Sequence, residues 1–187
     1  EYFAFMLFLV TGVFGVFMSM DIFFFFLFYE IAVVPMYILI LIWGSTRKEY
    51  AAMKLTLYLM AGSGLIIPGL LLLYATSGLY TFDLIQLHGV HFAPWVQKLV
   101  FPLLLFGFGV LAAMWPFHTW SPVGHVAAPT AVSMLHAGVL MKLGSYGILR
   151  IPMYLCPEGF QYWSSLMGLL AICGIVYGVF VGLAQTD

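Results

Sequence analysis

AAMWPFHTWSPVGHVAAPTAVSMLHAGVLMK, residues Ala112–Lys142, holds three prolines, three histidines and a lysine, yet it begins and ends inside apolar runs. What surrounds it decides how that is read. Over the 187 residues, 64% are apolar, only 7% are charged, and the mean hydropathy is +1.10. A soluble domain of ordinary composition carries about a quarter charged residues. Six Lys/Arg and seven Asp/Glu cannot coat the surface of a water-soluble globule of this length. The chain is therefore an integral membrane protein, and its polar, proline-rich stretch lies at membrane depth.

A span needs roughly 20 mostly apolar residues to cross the hydrocarbon core. Six stretches qualify: Tyr2–Ser19, Ile22–Trp43, Tyr50–Ala75, Trp95–Phe117, Ala127–Leu149 and Tyr162–Leu183. Backbone in lipid must satisfy its own hydrogen bonds, and the alternation of a membrane barrel is absent, so the expected fold is all-α with about six transmembrane helices. Proline cannot donate to the carbonyl four residues earlier. Pro116 should thus free the carbonyl of Ala112, Pro122 that of His118 and Pro129 that of His125. One helix is expected to break near 112–122, at Met114–Pro116, with a half-helical piece running on to about His125. Broken backbone survives at that depth only where it is buried in protein or lines water, and discontinuous helices mark transport pathways.

Other bounds are weaker. A net charge of −1 points away from nucleic acid. Cys156 and Cys173 form no metal or redox motif. Arg47 and Lys48 fall at one membrane face and Lys98 and Arg150 at the other, so the positive-inside rule does not orient the chain. The first residue is Glu1, standing almost directly before an apolar run, and the expectation is an internal piece of a longer protein.

The candidate site consists of ionisable groups that apolar runs should not hold. Glu30 stands near the middle of FFFLFYEIAVVPMY, and a carboxylate there costs several kcal/mol unless it is protonated, paired or hydrated. Pro35 opens the carbonyl of Ile31 beside it, which makes this a place for a proton to rest. The plainer reading is a neutral glutamic acid that joins helices. Lys54 sits about one turn inside the third span, where it either snorkels to the interface or pairs with Glu30. Lys142 lies past the middle of the fifth span, where snorkelling is harder, and a lysine able to lose its charge is a usable proton carrier. His118, His125 and His136 fall in or beside the expected break; imidazole accepts and donates a proton near neutral pH. For His118 and His125 the competing readings are donation to freed carbonyls, or a haem-holding pair, which Pro122 disfavours by disrupting the geometry between them.

The stretches FYEIAVVPMYILILIWG, EYAAMKLTLYLMAGS and PFHTWSPVGHVAAPTAVSMLHAGVLMKLGSYGILR resemble the antiporter-like, proton-translocating membrane subunits of respiratory complex I. The nearest type is chain M of NADH:quinone oxidoreductase (mitochondrial subunit 4), itself related to cation/proton antiporter subunits. The resemblance runs from the first span to VYGVFVGLAQTD. It implies about fourteen spans with two inverted five-helix repeats, residues 1–187 forming a single membrane domain at spans four to nine. It implies that Glu30 is the family's fifth-span glutamate, Lys54 a sixth-span lysine, Lys142 the eighth-span lysine, and His118 and His125 the histidines after the seventh-span break. With His136 these make the expected proton relay. The resemblance also implies no cofactor in this chain, FMN, iron–sulfur clusters and quinone in partner subunits, neighbouring antiporter-like subunits and lipid as partners, and a bacterial inner (plasma) membrane or another energy-transducing membrane as the location. The chain departs from the family pattern where a lysine usually precedes the break, since Leu111 stands there; Val123 likewise replaces a common polar residue. Either another group, such as Lys54 or His136, supplies that charge, or the half-channel works differently. A Na⁺/H⁺ antiporter subunit, a membrane-bound hydrogenase subunit, a haem cytochrome and a scaffold remain as rival readings.

Overall fold

A computed structural model describes residues 1–185; Thr186 and Asp187, which end the VYGVFVGLAQTD stretch, lie outside the described residues. Described residues form helices, with an isolated bridge between Asp21 and Asp83 as the sole β-type pairing among them. Helix α1 (Tyr2–Met18) turns into α2 (Ile22–Trp43) through Asp21, whose carboxylate accepts from the backbone N–H of Phe23 at 2.8 Å and of Phe24 at 3.1 Å. That satisfies two of the donors a helix start leaves open. A short turn then leads to α3 (Lys48–Ser77). Both α2 and α3 run unbroken through an internal proline, Pro35 and Pro68.

After α4 (Leu84–His88), a surface turn capped by Asp83, comes α5 (Pro94–Leu111). Helix α5 lies against α3 so closely that a Cβ on Gly62 would stand 2.8 Å from the Gly107 carbonyl oxygen. Such backbone proximity is the usual use of small residues between membrane helices. The last long helix is α10 (Pro157–Leu183), tied to α5 at its start by Gln97. The buried Gln97 amide donates to Phe92 O at 2.8 Å and its carbonyl accepts from Glu158 N–H at 3.0 Å.

Five helical spans are long and apolar enough to cross a membrane: Ile22–Trp43, Lys48–Ser77, Pro94–Leu111, Thr130–Leu155 and Pro157–Leu183; Tyr2–Met18 is a shorter apolar helix. At 17 residues it is about 25 Å long, slightly short of the hydrocarbon thickness. The all-α expectation is met. The turn between α2 and α3 meets the stretch after residue 126 through Ser45 N–H donating to Ala127 O at 2.8 Å. Opposite it, Ile22 N–H donates to Phe82 O, and the Arg150 side chain reaches Met20. Arg47 and Lys48 thus sit at the end away from Arg150, as expected.

The break is present, but its cause is not the expected one. Helix α5 ends at Leu111, well before Pro116, rather than continuing to Phe117. Ala113 adopts a left-handed conformation (φ 52°), its N–H donates to Val110 O at 3.1 Å, and Met114 N–H donates to Gly109 O at 2.8 Å. Those two bonds define a Schellman stop, usually built on glycine. Irregular chain follows to Thr119. Pro122 then falls in the first turn of α6 (Trp120–Ala127), where no intrahelical donor is missed, and His118 O accepts from Ser121 N–H at 3.0 Å. Pro129 does not break a helix either: it precedes α7 (Thr130–Leu135), and its carbonyl accepts from Ser133 N–H. The span then passes through a π-helical turn, His136–Leu140, into α8 (Met141–Arg150) and the short α9 (Pro152–Leu155).

Candidate functional site

Glu30 projects from the middle of α2 and is partly buried. Its partner is a hydroxyl, not a cation: Ser63 Oγ on α3 hydrogen-bonds Glu30 Oε1 and also reaches Leu59 O at 3.0 Å. Beside them the Tyr29 hydroxyl is fully buried, with no hydrogen-bond partner. Helix geometry explains the choice of partner. Helices α2 and α3 form a hairpin, with Glu30 thirteen residues before the end of α2 and Ser63 fifteen residues after the start of α3. Both therefore lie about 20 Å from the turn at 1.5 Å per residue. Lys54 is only about 9 Å from it. The expected Glu30–Lys54 ion pair is not formed among the described residues. Lys54 Nζ instead lies 5.9 Å from the centre of the Tyr50 ring and 6.0 Å from that of Tyr58.

A second group forms around the π-helical turn. His125 and His136 stack, with centroids 4.5 Å apart and planes 28° from parallel. On the other face of His136 lies Trp120, with centroids 5.3 Å apart. His125 Nδ1 meets Ser133 Oγ at 2.9 Å, whereas both ring nitrogens of the fully buried His136 lack a partner. Lys142 follows six residues after His136 on the same span, about 9 Å farther along the helix axis. It is itself exposed, twelve residues from the start of its span at Thr130 and so about 18 Å into it.

His118 stands apart from both groups. It is in the irregular segment, its ring edge-on to Tyr177 of α10 with centroids 4.9 Å apart, beside a cleft lined by Trp115, Ala171 and Gly174. Its neighbour Thr119 shares a 2.9 Å hydrogen bond with the Tyr58 hydroxyl. The structure thus brings together His125 and His136, and leaves Lys142, Glu30, Lys54 and His118 outside that pair. Leu111, at the position the family gives to lysine, is fully buried. Ser63, Tyr29, Ser133 and Trp120 were not singled out by the sequence. Only Ser63 had a readable signal, its equal distance from the α2–α3 turn.

The family described as NADH:quinone oxidoreductase/Mrp antiporter, TM, matches residues 19–187. The chain belongs to this family. It is 40% identical over 187 residues to NAD(P)H-quinone oxidoreductase chain 4 3 of Picosynechococcus, covering 100% of this chain and 34% of that protein. To NADH-quinone oxidoreductase subunit M of Rhodobacter capsulatus it is 37% identical, covering 100% of this chain and 39% of the other. It thus spans about a third of the length of the curated relatives it matches. Among solved structures, a chain of respiratory complex I from Thermus thermophilus with bound NADH superposes with a TM-score of 0.92 at 25% identity, covering 100% of this chain and 40% of that one. A chain of the Mrp complex from Dietzia superposes with a TM-score of 0.72 at 26% identity, covering 82% of this chain and 29% of that one. The antiporter-like fold inferred from FYEIAVVPMYILILIWG and its companion stretches is therefore the fold of this chain.

Proposed function

We propose that this chain is part of a proton-translocating membrane subunit of an NADH:quinone oxidoreductase, seated among other antiporter-like subunits in a bacterial inner membrane or another energy-transducing membrane. Redox chemistry at FMN, iron–sulfur clusters and quinone belongs, in this reading, to partner subunits. The observation that supports it most is the stacked His125–His136 pair at the π-helical turn of the span that carries Lys142. The buried His136, and Lys142 about 18 Å into the same span, put two groups able to exchange protons in one membrane helix, where ionisable side chains are costly unless paired or hydrated. In this reading Glu30 holds a proton in the α2–α3 hairpin, and Lys142 exchanges protons with the histidine pair. A change of charge in a neighbouring subunit shifts the proton affinity of Lys142 and so drives the step.

Lys142→Ala in the full-length subunit is expected to leave the complex assembled and NADH oxidation measurable, while coupled proton pumping is lost. Normal pumping in that variant removes Lys142 from the mechanism. Glu30→Gln is expected to show the same defect; loss of assembly alone would make Glu30 a helix-joining residue. The family description and the Dietzia superposition support a second reading, a cation/proton antiporter subunit. Exchanging Na⁺ for K⁺ in the transport assay separates the two, since only an antiporter responds to the cation.

A further inference from the structure

The Glu30 site has a feature that ion-pair chemistry does not explain. Its carboxyl group meets no cation among the described residues. The side chain that holds it is Ser63, 7% exposed, whose hydroxyl carries one hydrogen and stands within reach of two acceptors. One is Glu30 Oε1; the other is the Leu59 carbonyl, one turn back on the same helix. A single hydrogen cannot serve both.

We propose that Ser63 is the positioning residue for the Glu30 proton, its hydroxyl turning between Glu30 and the Leu59 carbonyl as the carboxyl group loses and gains that proton. An ionised carboxylate only accepts hydrogen bonds, whereas a protonated one also donates. With Glu30 ionised, Ser63 donates to Oε1 and Leu59 O keeps only its helical backbone bond. With Glu30 protonated, the acid O–H donates to Ser63 Oγ, and the serine hydrogen moves to Leu59 O. No bond to hydrogen is broken in the serine; the proton gained by Glu30 is the only one transferred. A bond from a hydroxyl to a charged acceptor is stronger than one between neutral partners, so the first arrangement stabilises the ion without a neighbouring lysine. The hydroxyl therefore offers this chain a way to hold an anion where Leu111 supplies no ammonium. Serine bonding to the carbonyl four residues back also loosens the local helix, so the hydroxyl's position alters α3 between Leu59 and Ser63. The plain alternative is a serine satisfied permanently by Leu59, with the glutamate a bystander.

This inference rests on Glu30 carrying a transferred proton, as proposed above, and its test separates the two. The full-length subunit in its complex would be prepared with Ser63→Ala, Ser63→Thr and Glu30→Gln. Infrared difference spectra would then follow the carboxylic C=O stretch that disappears in Glu30→Gln, alongside pumping rates. In Ser63→Ala the acid loses its acceptor, so the band is expected at higher frequency, and proton transfer is expected to slow roughly tenfold. Ser63→Thr keeps a hydroxyl and is expected to restore both. Ser63→Cys, of similar size but a weak donor, is expected to fall between them and replaces the alanine variant if that one does not assemble. An unshifted Glu30 band in the alanine or cysteine variant overturns the role of Ser63, whatever the yield of complex. If Glu30→Gln pumps normally while Ser63→Ala still shifts the band, the hydrogen-bond switch stands and the proposed use of Glu30 in pumping fails.

Discussion

Ala113 stops α5 in a conformation that disfavours any side chain. At φ 52° an L-residue brings Cβ against the following carbonyl at about 1–2 kcal/mol, part of which glycine would return as extra unfolded-state entropy. Ala113→Gly is therefore expected to stabilise the folded chain by about 0.5–1 kcal/mol, read as a higher midpoint of thermal unfolding in detergent. A lower midpoint would mean that the Ala113 methyl group makes packing contacts worth more than the strain. Glu30 and Lys142 were legible from the sequence because a charge in an apolar run is expensive wherever the helix points. The partner of Glu30 was not. Its depth could be counted from the α2–α3 turn, but serine in a helix commonly bonds to its own backbone, so nothing in AGSG says that the hydroxyl faces a neighbour. Lys54 failed as a partner because sequence proximity to a helix end says how deep a residue lies, and depth was the quantity that had to match.

Helices were readable wherever hydropathy alone defines them, and unreadable where hydrogen bonding does. The long spans fall within a few residues of expectation. By contrast, the end of α5 and the π-helical turn at His136–Leu140 depend on which carbonyl each N–H chooses, and apolar residues of similar size leave no trace of that choice. Prolines drew attention to the right segment for a partly wrong reason, since Pro122 and Pro129 begin helices in this fold. Contact between α8 and α5 shows the same limit. A Cβ on Gly144 would stand 2.5 Å from both Ala112 N and Phe108 O, so backbone meets backbone there. Gly144→Val must push α8 off the end of α5 and is expected to cost about 1–3 kcal/mol or more. Thermal unfolding of the variant checks it, and an unchanged midpoint would show that the two helices separate freely.

At the scale of the bundle, few polar residues bind one helix to another, so each matters. Helix α10 has Gly159 as its one buried residue, and Gln97 joins its first turn to α5. Gln97→Leu would leave Glu158 N–H and the buried Phe92 O without these bonds, at about 1–3 kcal/mol for the Phe92 carbonyl and less for the part-buried Glu158 N–H. The expected result is faster proteolysis at the α9–α10 connection with the remaining helices intact; protection equal to the parent would place the joint elsewhere. Polar joints of this kind are scattered singly through the sequence, which is why the bundle was foreseeable as a class and its internal ties were not.

Trp120 has two obligations on opposite sides of the helix break. Its indole N–H donates to Val110 O at 3.0 Å, a carbonyl in the last turn of α5, while its ring is the shelf on which His136 lies. One rigid plate therefore latches the end of one helix and carries an imidazole belonging to another. A sideways slip of that imidazole has to drag the latch or leave the shelf, so the end of α5 and the π-helical turn of the following span are mechanically geared through a single side chain.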